Sequence, residues 1–272
     1  MNVRKVENQE IMKPCSMVVA VEQDKKESQE TANDDDDDDE VVVKHLHSIK
    51  SNVVIRQFPS QGISFKLWPA ATTLVSLLDN SAFSSLFQPS SSKPLRLLEL
   101  GSGTGIVGIA AAAILGTHVT ITDLAHALPN LKFNAEANSK TIGGNAGKLE
   151  VAALSWGDDQ DMEAVNSQAD FDIIMGSDLV YHHHLFDPLL RTLRFFLLGD
   201  QVNKDRVFVM AHSKRWKKET AFFKRAYKDF DVKVIHRDDP CNGDRLGILV
   251  CTFVAKNKRK KKAEDVNNNQ SN

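Results

Sequence analysis

The chain has 272 residues, of which 42% are hydrophobic and 26% are charged, enough for one large domain or two small ones with a buried core. The formal net charge is −2, so no overall positive charge favours nucleic-acid binding. The three cysteines, Cys15, Cys241 and Cys251, include no C-x-x-C pair, which argues against a disulfide framework and a zinc site. The longest apolar run, residues 106–115, is too short to span a bilayer. We therefore expect a cytoplasmic protein without a metal or a membrane partner.

The two ends of the chain carry opposed charge. Residues 34–39 are six consecutive aspartates, and residues 1–42 are expected to form a disordered acidic tail. Residues 256–262 contain six lysines and arginines, and residues 256–272 are expected to form a disordered basic and polar tail. The basic cluster fits either a nuclear-localisation signal or a solubilising end, so a nuclear location in addition to the cytoplasm stays open.

The first ordered elements are predicted from β-branched and alternating segments. Residues 41–43 and 53–55 indicate an N-terminal β-hairpin. Residues 63–68 largely alternate apolar and polar side chains, which predicts a half-buried extended segment. Pro69 suits the first position of a helix that continues to residue 78. The Ser- and Pro-rich stretch 81–93 is typical of a loop.

From residue 94 onwards, strand and helix patterns alternate. Strands are predicted at residues 95–100, 119–122, 149–154, 171–175, 207–210, 232–235 and 246–253. Helices are predicted at residues 106–115, 125–137, 185–198 and 217–227. Strands separated by helices imply βαβ units and a mostly parallel sheet with helices on both faces. The last two strands lack a helix between them, so the final strand is expected to be antiparallel. The predicted fold is an α/β domain at residues 43–255 with a seven-stranded sheet and an N-terminal hairpin extension.

The turn after the first strand of this sheet has the pattern E-x-G-x-G-x-G at residues 99–105. Its glycines allow a sharp bend and close approach of a ligand beyond the carboxyl ends of the strands. A dinucleotide fingerprint would need glycine where Ile106 stands. Glu99 is awkward beside a pyrophosphate, but it suits the ammonium of an amino-acid-bearing nucleoside, directly or through water. Asp123 closes the second strand, where a carboxylate can accept from both ribose hydroxyls.

The glycine turn resembles motif I of the class I S-adenosylmethionine methyltransferases. Four more segments narrow the resemblance: LWPAA at residues 67–71, TD at 122–123, LSWG at 154–157 and SDLVY at 177–181. Together they are similar to the family-16 group of protein methyltransferases, relatives of the lysine enzymes that modify chaperones and elongation factors. The D-x-x-Y pattern combined with both Trp segments is far more specific than motif I alone. The resemblance covers residues 53–253 and implies a Rossmann-like fold.

The resemblance implies S-adenosylmethionine as the cofactor and a set of residues that hold it. The residues are Gly101, Ser102 and Gly103 at the turn, Asp123 at the ribose, Trp156 beside the adenine, and Trp68 and Ser177 as further contacts. Each tryptophan could instead be a packing residue. Many relatives have Asp after the first Trp, and Pro69 in this chain puts the N-terminal wall of the pocket in doubt.

Asp178 and Tyr181 are the candidate catalytic residues. The carboxylate of Asp178, at the end of the fourth strand, could attract or orient an incoming amine, and Tyr181 offers an apolar wall with a hydroxyl. Alternatively, Asp178 caps the following turn and Tyr181 packs against the helix. Enzymes acting on planar nitrogens resemble N/D-P-P-Y here. Leu179 and Val180 replace both prolines, which favours the flexible amine of lysine.

Two polar patterns have simpler interpretations. The run of histidines at residues 182–184 has no accompanying H-E-x-x-H or C-x-x-C pattern, so an exposed turn is preferred over a metal site. Asn134 and Asn138 stand four residues apart in a predicted helix, which most simply indicates a polar helix face.

We therefore expect a monomeric S-adenosylmethionine-dependent protein-lysine N-methyltransferase. Its expected substrate is a lysine on a non-histone protein such as a chaperone or a translation factor. Two alternatives remain open: a methyltransferase for a small molecule or a nucleic acid, and a non-catalytic module that binds the cofactor.

Overall fold

The computed structural model describes residues 39–87, 93–199, 206–214, 219–239 and 247–256. Apart from residues 39–42 and 256, the two predicted tails lie outside the described residues, as do parts of the predicted loop 81–93 and of the helix 217–227. The strands are β1 (Glu40–Leu46), β2 (Ser51–Gln57), β3 (Arg96–Leu100), β4 (His118–Asp123), β5 (Lys148–Ala153), β6 (Ile173–Ser177), β7 (Val207–Ser213), β8 (Phe230–Arg237) and β9 (Ile248–Ala255). The α-helices are α1 (Pro69–Asp79), α2 (Ile106–Leu115), α3 (Leu128–Ala137), α4 (Ser139–Gly143), α5 (Asp159–Asn166), α6 (Phe186–Leu198) and α7 (Thr220–Ala226).

The main sheet has seven strands in the order β5-β4-β3-β6-β7-β9-β8. The first five are parallel, and β9 is antiparallel to both of its neighbours. The predicted topology is therefore confirmed. Chain order reverses between β3 and β6, and in open α/β sheets ligands bind beyond the carboxyl ends of the strands at such a point.

Helices cover both faces of this sheet, as predicted. Alternate residues of a strand point to opposite faces. Leu97 of β3 packs in the cluster that contains the buried faces of α1 and α2. Leu98 and Leu100 pack in the cluster that contains those of α5, α6 and α7. None of the helices among the described residues is long and apolar enough to cross a membrane.

The N-terminal hairpin is confirmed, and it begins slightly before the predicted domain boundary at residue 43. β1 pairs antiparallel with β2, and Glu40 lies opposite Gln57. The side-chain amide of Gln57 donates to Glu40 Oε2 at 2.9 Å and accepts from the backbone N–H of Leu67 at 2.8 Å. Gln57 therefore ties the start of the hairpin to the segment that leads into α1.

The interpretation of Asn134 and Asn138 as a polar helix face is wrong, since both side chains are buried. The Asn138 amide exchanges two hydrogen bonds with the backbone of Val54, at 2.9 and 2.7 Å. The Asn134 amide does the same with Arg56, at 2.9 Å each. Four residues of helix rise about 6 Å and two residues of strand about 6.7 Å, so the two amides match alternate residues on the free edge of β2.

The segment at residues 63–68 is not fully extended as predicted. Residues Ile63–Phe65 form a short 3-10 helix, in which Phe65 N–H donates to the carbonyl of Gly62 at 3.1 Å. Gly62 permits this turn because its φ is +124°. Phe65 is buried while Ile63 is 48% exposed. The alternation of apolar and polar residues here therefore reflects a turn that buries Phe65 and exposes Ile63.

Helices α4 and α5 were not predicted. Only Met162 and Val165 of α5 are buried, which is too few apolar positions to show a helical period. A capping signal was nevertheless present, because the side chain of Asp158 accepts from the backbone N–H of Asp161 at 3.0 Å.

Candidate active site

A cavity of about 770 Å³ opens beyond the carboxyl ends of β3, β4 and β6. Nine of the ten predicted site residues line it: Trp68, Gly101, Ser102, Gly103, Asp123, Trp156, Ser177, Asp178 and Tyr181. A second cavity of about 610 Å³ lies beside α3, α4 and β5 and contains none of them. The fold therefore brings together residues that are up to 113 positions apart, Trp68 and Tyr181.

The glycine turn is fixed by backbone geometry and by close packing. Gly101, Gly103 and Gly105 all have positive φ, at +58°, +56° and +85°, a region that other residues rarely adopt. A Cβ added to Gly101 would lie 2.8 Å from Cζ2 of Trp156 and 2.9 Å from Cδ2 of Leu179. The backbone of residues 101–104 thus faces the cavity without side chains at the first and third positions.

Asp123 is held at the end of β4 by three donors. Its Oδ2 accepts from Gly103 N–H at 2.7 Å, and its Oδ1 accepts from Leu124 N–H at 2.8 Å and from the Ser64 hydroxyl at 3.2 Å. Burial raises the pKa of Asp123, and the hydrogen bonds from Gly103 and Leu124 oppose that shift. Two of the donors are backbone groups, so only Ser64 can turn away to make room for another donor. Sequence reasoning missed Ser64, which lies 59 positions from Asp123.

Glu99 is the exception among the predicted site residues. Its side chain is fully buried on the α2 side of β3, and its Oε2 accepts from the backbone N–H of Gly108 at 2.9 Å. Burial raises the pKa of this carboxyl to about 8. Direct contact with a molecule in the cavity is not available in this arrangement, because Leu98 and Leu100 alternate with Glu99 and the strand turns its side chain towards the helix. A role through water stays a prediction.

The two tryptophans are half-buried and both line the cavity, unlike the buried core residues. Trp68 donates its indole N–H to the carbonyl of Ile63 at 2.9 Å, which fixes the ring beside the 3-10 turn. Trp156 lies against Gly101. The loop that carries Trp156 is tied to α6, since Gly157 N–H donates to the Thr192 hydroxyl at 2.8 Å. The cofactor contacts predicted for both rings remain predictions.

Asp178 has a left-handed backbone conformation, with φ +54°, which is uncommon for a residue other than glycine and is frequent at functional sites. Its own N–H donates to Ala211 in β7 at 2.9 Å. Its Oδ1 accepts from Ser213 N–H at 2.8 Å and its Oδ2 from the Ser213 hydroxyl at 3.3 Å. These contacts bind the carboxylate to the end of β7.

The spacing of the D-x-x-Y pattern is explained by burial. Leu179 and Val180 are both 2% exposed and belong to the core, although Leu179 also borders the cavity that Asp178 and Tyr181 line. Burial, and to a smaller extent the negative charge of Asp123, raises the pKa of Tyr181. The Tyr181 hydroxyl therefore stays protonated at neutral pH and can donate a hydrogen bond.

Sequence reasoning also missed His212 and Glu219, which lie behind Asp178. His212 is 1% exposed, and its Nε2 lies 3.0 Å from Glu219 Oε2. Its Nδ1 lies 4.0 Å from Asp178 Oδ1. The one available signal was a histidine inside an otherwise apolar strand. The three histidines at residues 182–184 are exposed, as predicted. Among the residues that the structure describes, no cluster of metal-ligating side chains is found.

A family model described as lysine methyltransferase matches residues 48–229. The chain belongs to this family. It is 33% identical to the protein N-lysine methyltransferase METTL21A of Danio rerio over 177 residues, which cover 65% of this chain and 73% of the relative. It is 33% identical to the EEF1A lysine methyltransferase 3 of Mus musculus over 182 residues, 66% of this chain and 70% of the relative. The match to the EEF1A lysine methyltransferase 3 of Xenopus tropicalis is 37% over 142 residues and spans 52% of this chain and 56% of that relative.

Among solved structures, the chain is similar to a Pyrococcus horikoshii TYW2 in complex with MeSAdo, with a TM-score of 0.46, 11% identity and coverage of 81% of this chain and 73% of the other. It is also similar to a human methyltransferase 10 domain containing protein, with a TM-score of 0.46, 14% identity and coverage of 71% and 85%.

The cofactor of this lysine methyltransferase is S-adenosylmethionine, and the cavity fits it. Gly101, Ser102 and Gly103 line the cavity, so the turn would border the cofactor there. Asp123 presents a carboxylate at the strand end where ribose hydroxyls are bound in such folds. Trp156 presents a ring for a base to lie against. The residues that would hold the cofactor are therefore those of the glycine turn, Asp123 and Trp156.

Proposed function

We propose that this protein is a protein-lysine N-methyltransferase that modifies a lysine on a non-histone protein such as a chaperone or a translation factor. One observation carries the proposal. Asp178 and Tyr181 open into the same cavity as the glycine turn and Asp123, so an amine and a cofactor could meet between them.

The residues suit an amine nucleophile. A lysine has a pKa of about 10.4 in water, so it arrives as an ammonium and must lose a proton before it can attack. The carboxylate of Asp178 attracts the ammonium, and the protonated hydroxyl of Tyr181 can orient the amine. Partial burial of the amine in the cavity disfavours its charged form. The bound cofactor supplies a methyl group that is activated by the adjacent sulfonium, so alignment of the amine contributes much of the rate.

The relatives support a protein substrate. Those from Danio rerio and Mus musculus are named as a protein N-lysine methyltransferase and an EEF1A lysine methyltransferase. Leu179 and Val180 support the same conclusion, because the segment lacks the two prolines of the N/D-P-P-Y pattern that enzymes acting on planar nitrogens resemble. The absence of both prolines therefore favours the flexible side chain of lysine over a flat ring or amide as the substrate.

Labelling of a cell extract tests this proposal. The extract is incubated with the purified protein and isotopically labelled S-adenosylmethionine, and labelled products are identified by mass spectrometry. Label on lysine residues of one or a few proteins is the expected result. Label confined to nucleic acid or small metabolites would overturn the proposal in favour of the first alternative. Binding of the cofactor with no labelled product would favour the non-catalytic module.

We also propose the cytoplasm as the working compartment, supported by cysteines without disulfide or zinc spacing. The basic cluster at residues 256–262 is the segment to test for nuclear import. Microscopy of a fluorescent fusion, with and without residues 256–272, measures both points.

A further inference from the structure

Three buried ionisable side chains extend in a row from the cavity wall into the protein. Asp178, His212 and Glu219 have side chains that are 5%, 2% and 5% exposed. Of the three, only Asp178 lines the cavity. Removing three such groups from water is costly unless each contributes to a shared arrangement, so the role of the two inner residues needs an explanation.

Strand β7 supplies the geometry of this group. His212 lies between Ala211 and Ser213, and both neighbours bind Asp178 through hydrogen bonds at 2.9 and 2.8 Å. The imidazole is thereby placed with Nδ1 at 4.0 Å from Asp178 Oδ1. On its other side, Nε2 lies 3.0 Å from Glu219 Oε2. The ring of Phe223 in α7 packs against the imidazole at 5.8 Å between ring centroids, and His212 is 1% exposed.

The proton positions on His212 follow from its neighbours. A carboxylate only accepts hydrogen bonds, so Nε2 carries a hydrogen directed at Glu219. Within the described residues, Nδ1 has no hydrogen-bond partner, and the nearest charged atom that it faces is a carboxylate oxygen. An unprotonated Nδ1 would turn its lone pair towards that negative charge, whereas a second proton makes an attractive contact. The geometry therefore places the imidazole between two carboxylates, with Nε2 near Glu219 and Nδ1 facing Asp178.

We propose that His212, oriented by Glu219, is a positioning residue that holds the Asp178 carboxylate towards the substrate amine. This inference rests on the proposed lysine methyltransferase function. Asp178 needs such support because its backbone has the uncommon φ of +54°.

Two variants test the proposal, His212→Gln and Glu219→Gln, with His236→Gln as the matched control. His236 is also paired with a carboxylate, at 2.7 Å from Asp238, but it is more exposed than His212 and does not line the cavity. Calorimetry gives the affinity for S-adenosylmethionine, and steady-state assays on the labelled substrate protein give kcat and KM between pH 6 and pH 9. The control should match the wild type in all of them.

For His212→Gln, we expect an unchanged cofactor Kd and a kcat lowered roughly tenfold to a hundredfold, the cost of a misplaced catalytic group. The effect on substrate KM should be smaller. A variant kcat within twofold of wild type at every pH would overturn the proposal.

The experiment also distinguishes a failure of the proposed function from a failure of the role of His212. If the wild type places no label on lysine, the proposed function fails. If the wild type methylates lysine and both variants do so equally well, only the role of His212 fails. Should thermal melting show that His212→Gln does not fold, Glu219→Gln decides, since it keeps the size and one hydrogen bond of the side chain. A loss of kcat with cofactor affinity retained supports the proposal, and an unchanged kcat overturns it.

Discussion

The indole ring of Trp156 lies so close to Gly101 that a Cβ on residue 101 would be 2.8 Å from its Cζ2 atom. The same backbone position has a φ of +58°. Steric crowding and the left-handed backbone conformation therefore both require glycine at residue 101, where the turn meets the ring predicted to lie beside the adenine.

The change Gly101→Ala should therefore weaken binding of S-adenosylmethionine at least tenfold and lower stability by about 1–3 kcal/mol, because the left-handed conformation is strained for alanine. Calorimetric titration and chemical denaturation measure the two effects. Gly143→Ala is the control, since nothing lies within 4 Å of its added Cβ and its φ is not positive. Equal cofactor affinity in both variants would show that the turn does not form the binding site.

Asp123→Asn should weaken cofactor binding roughly tenfold to a hundredfold, the range expected when hydrogen bonds to a charged group are lost. The amide can no longer accept on both sides, so it leaves either Gly103 N–H or the ribose without its acceptor. Ser64→Ala removes only the side-chain donor to Asp123 and should change the Kd less than about fivefold. An Asp123→Asn protein that binds the cofactor as tightly as wild type would contradict the predicted role of Asp123.

The buried Glu99 predicts a pH-dependent stability. Burial raises its pKa from 4.5 to about 8, so the folded protein keeps a proton that the unfolded chain loses near pH 4.5. Between these values the folded state binds more protons, and its stability falls as pH rises, by up to roughly 5 kcal/mol at pH 8. Below pH 4.5 both states are protonated and the effect is absent.

Glu99→Gln removes this titration. The free energy of unfolding of the variant, relative to wild type, should therefore increase steadily from pH 5 to pH 8 in denaturation experiments. Glu163→Gln, at an exposed position of α5, should run parallel to wild type. If the Glu99→Gln curve also ran parallel to wild type, the carboxyl would not be buried in its neutral form.

Asn134 joins the hairpin to the main domain and predicts a large effect on stability. Its side-chain amide donates to the carbonyls of Arg56 and Thr104, both at 2.9 Å, and accepts from the Arg56 N–H. Asn134→Ala leaves these groups buried without partners, which should cost roughly 2 kcal/mol or more. Urea denaturation measures the loss. Asn166→Ala, at an exposed position in α5, should stay within about 0.5 kcal/mol of wild type. An equally small effect of Asn134→Ala would contradict the conclusion that Asn134 joins the hairpin to the main domain.

The sequence predicts those parts of the site that follow directly from strand ends. Gly101, Asp123 and Asp178 each stand within a residue or so of the end of a strand with a clear apolar pattern. In a parallel sheet such ends meet at one edge, so their common cavity could be foreseen. Helix α2, which is apolar along its whole length, and α6, which has a strong apolar period, were predicted to within one residue.

Other features depend on contacts that local patterns do not encode. Ser64 reaches Asp123 across 59 positions, and His212 acquires its role only because β7 lies beside β6. Glu99 shows a different limit. It lies near the end of the strand, as predicted. Strand alternation, however, turns its side chain away from the cavity and towards α2. The Asn pair on α3 was misread because the edge strand that needs its amides comes from the hairpin.

The most direct test of the account is the change Asp178→Asn, measured for cofactor affinity and for methyl transfer to lysine in the same preparation. Asp178 lines the cavity but does not belong to the glycine turn, so the Kd for S-adenosylmethionine should change less than about threefold. The rate of transfer should fall roughly a hundredfold or more, because the substrate amine loses the carboxylate that attracts and orients it. Unchanged transfer to lysine in the variant would contradict the central claim that Asp178 acts on the amine in this cavity.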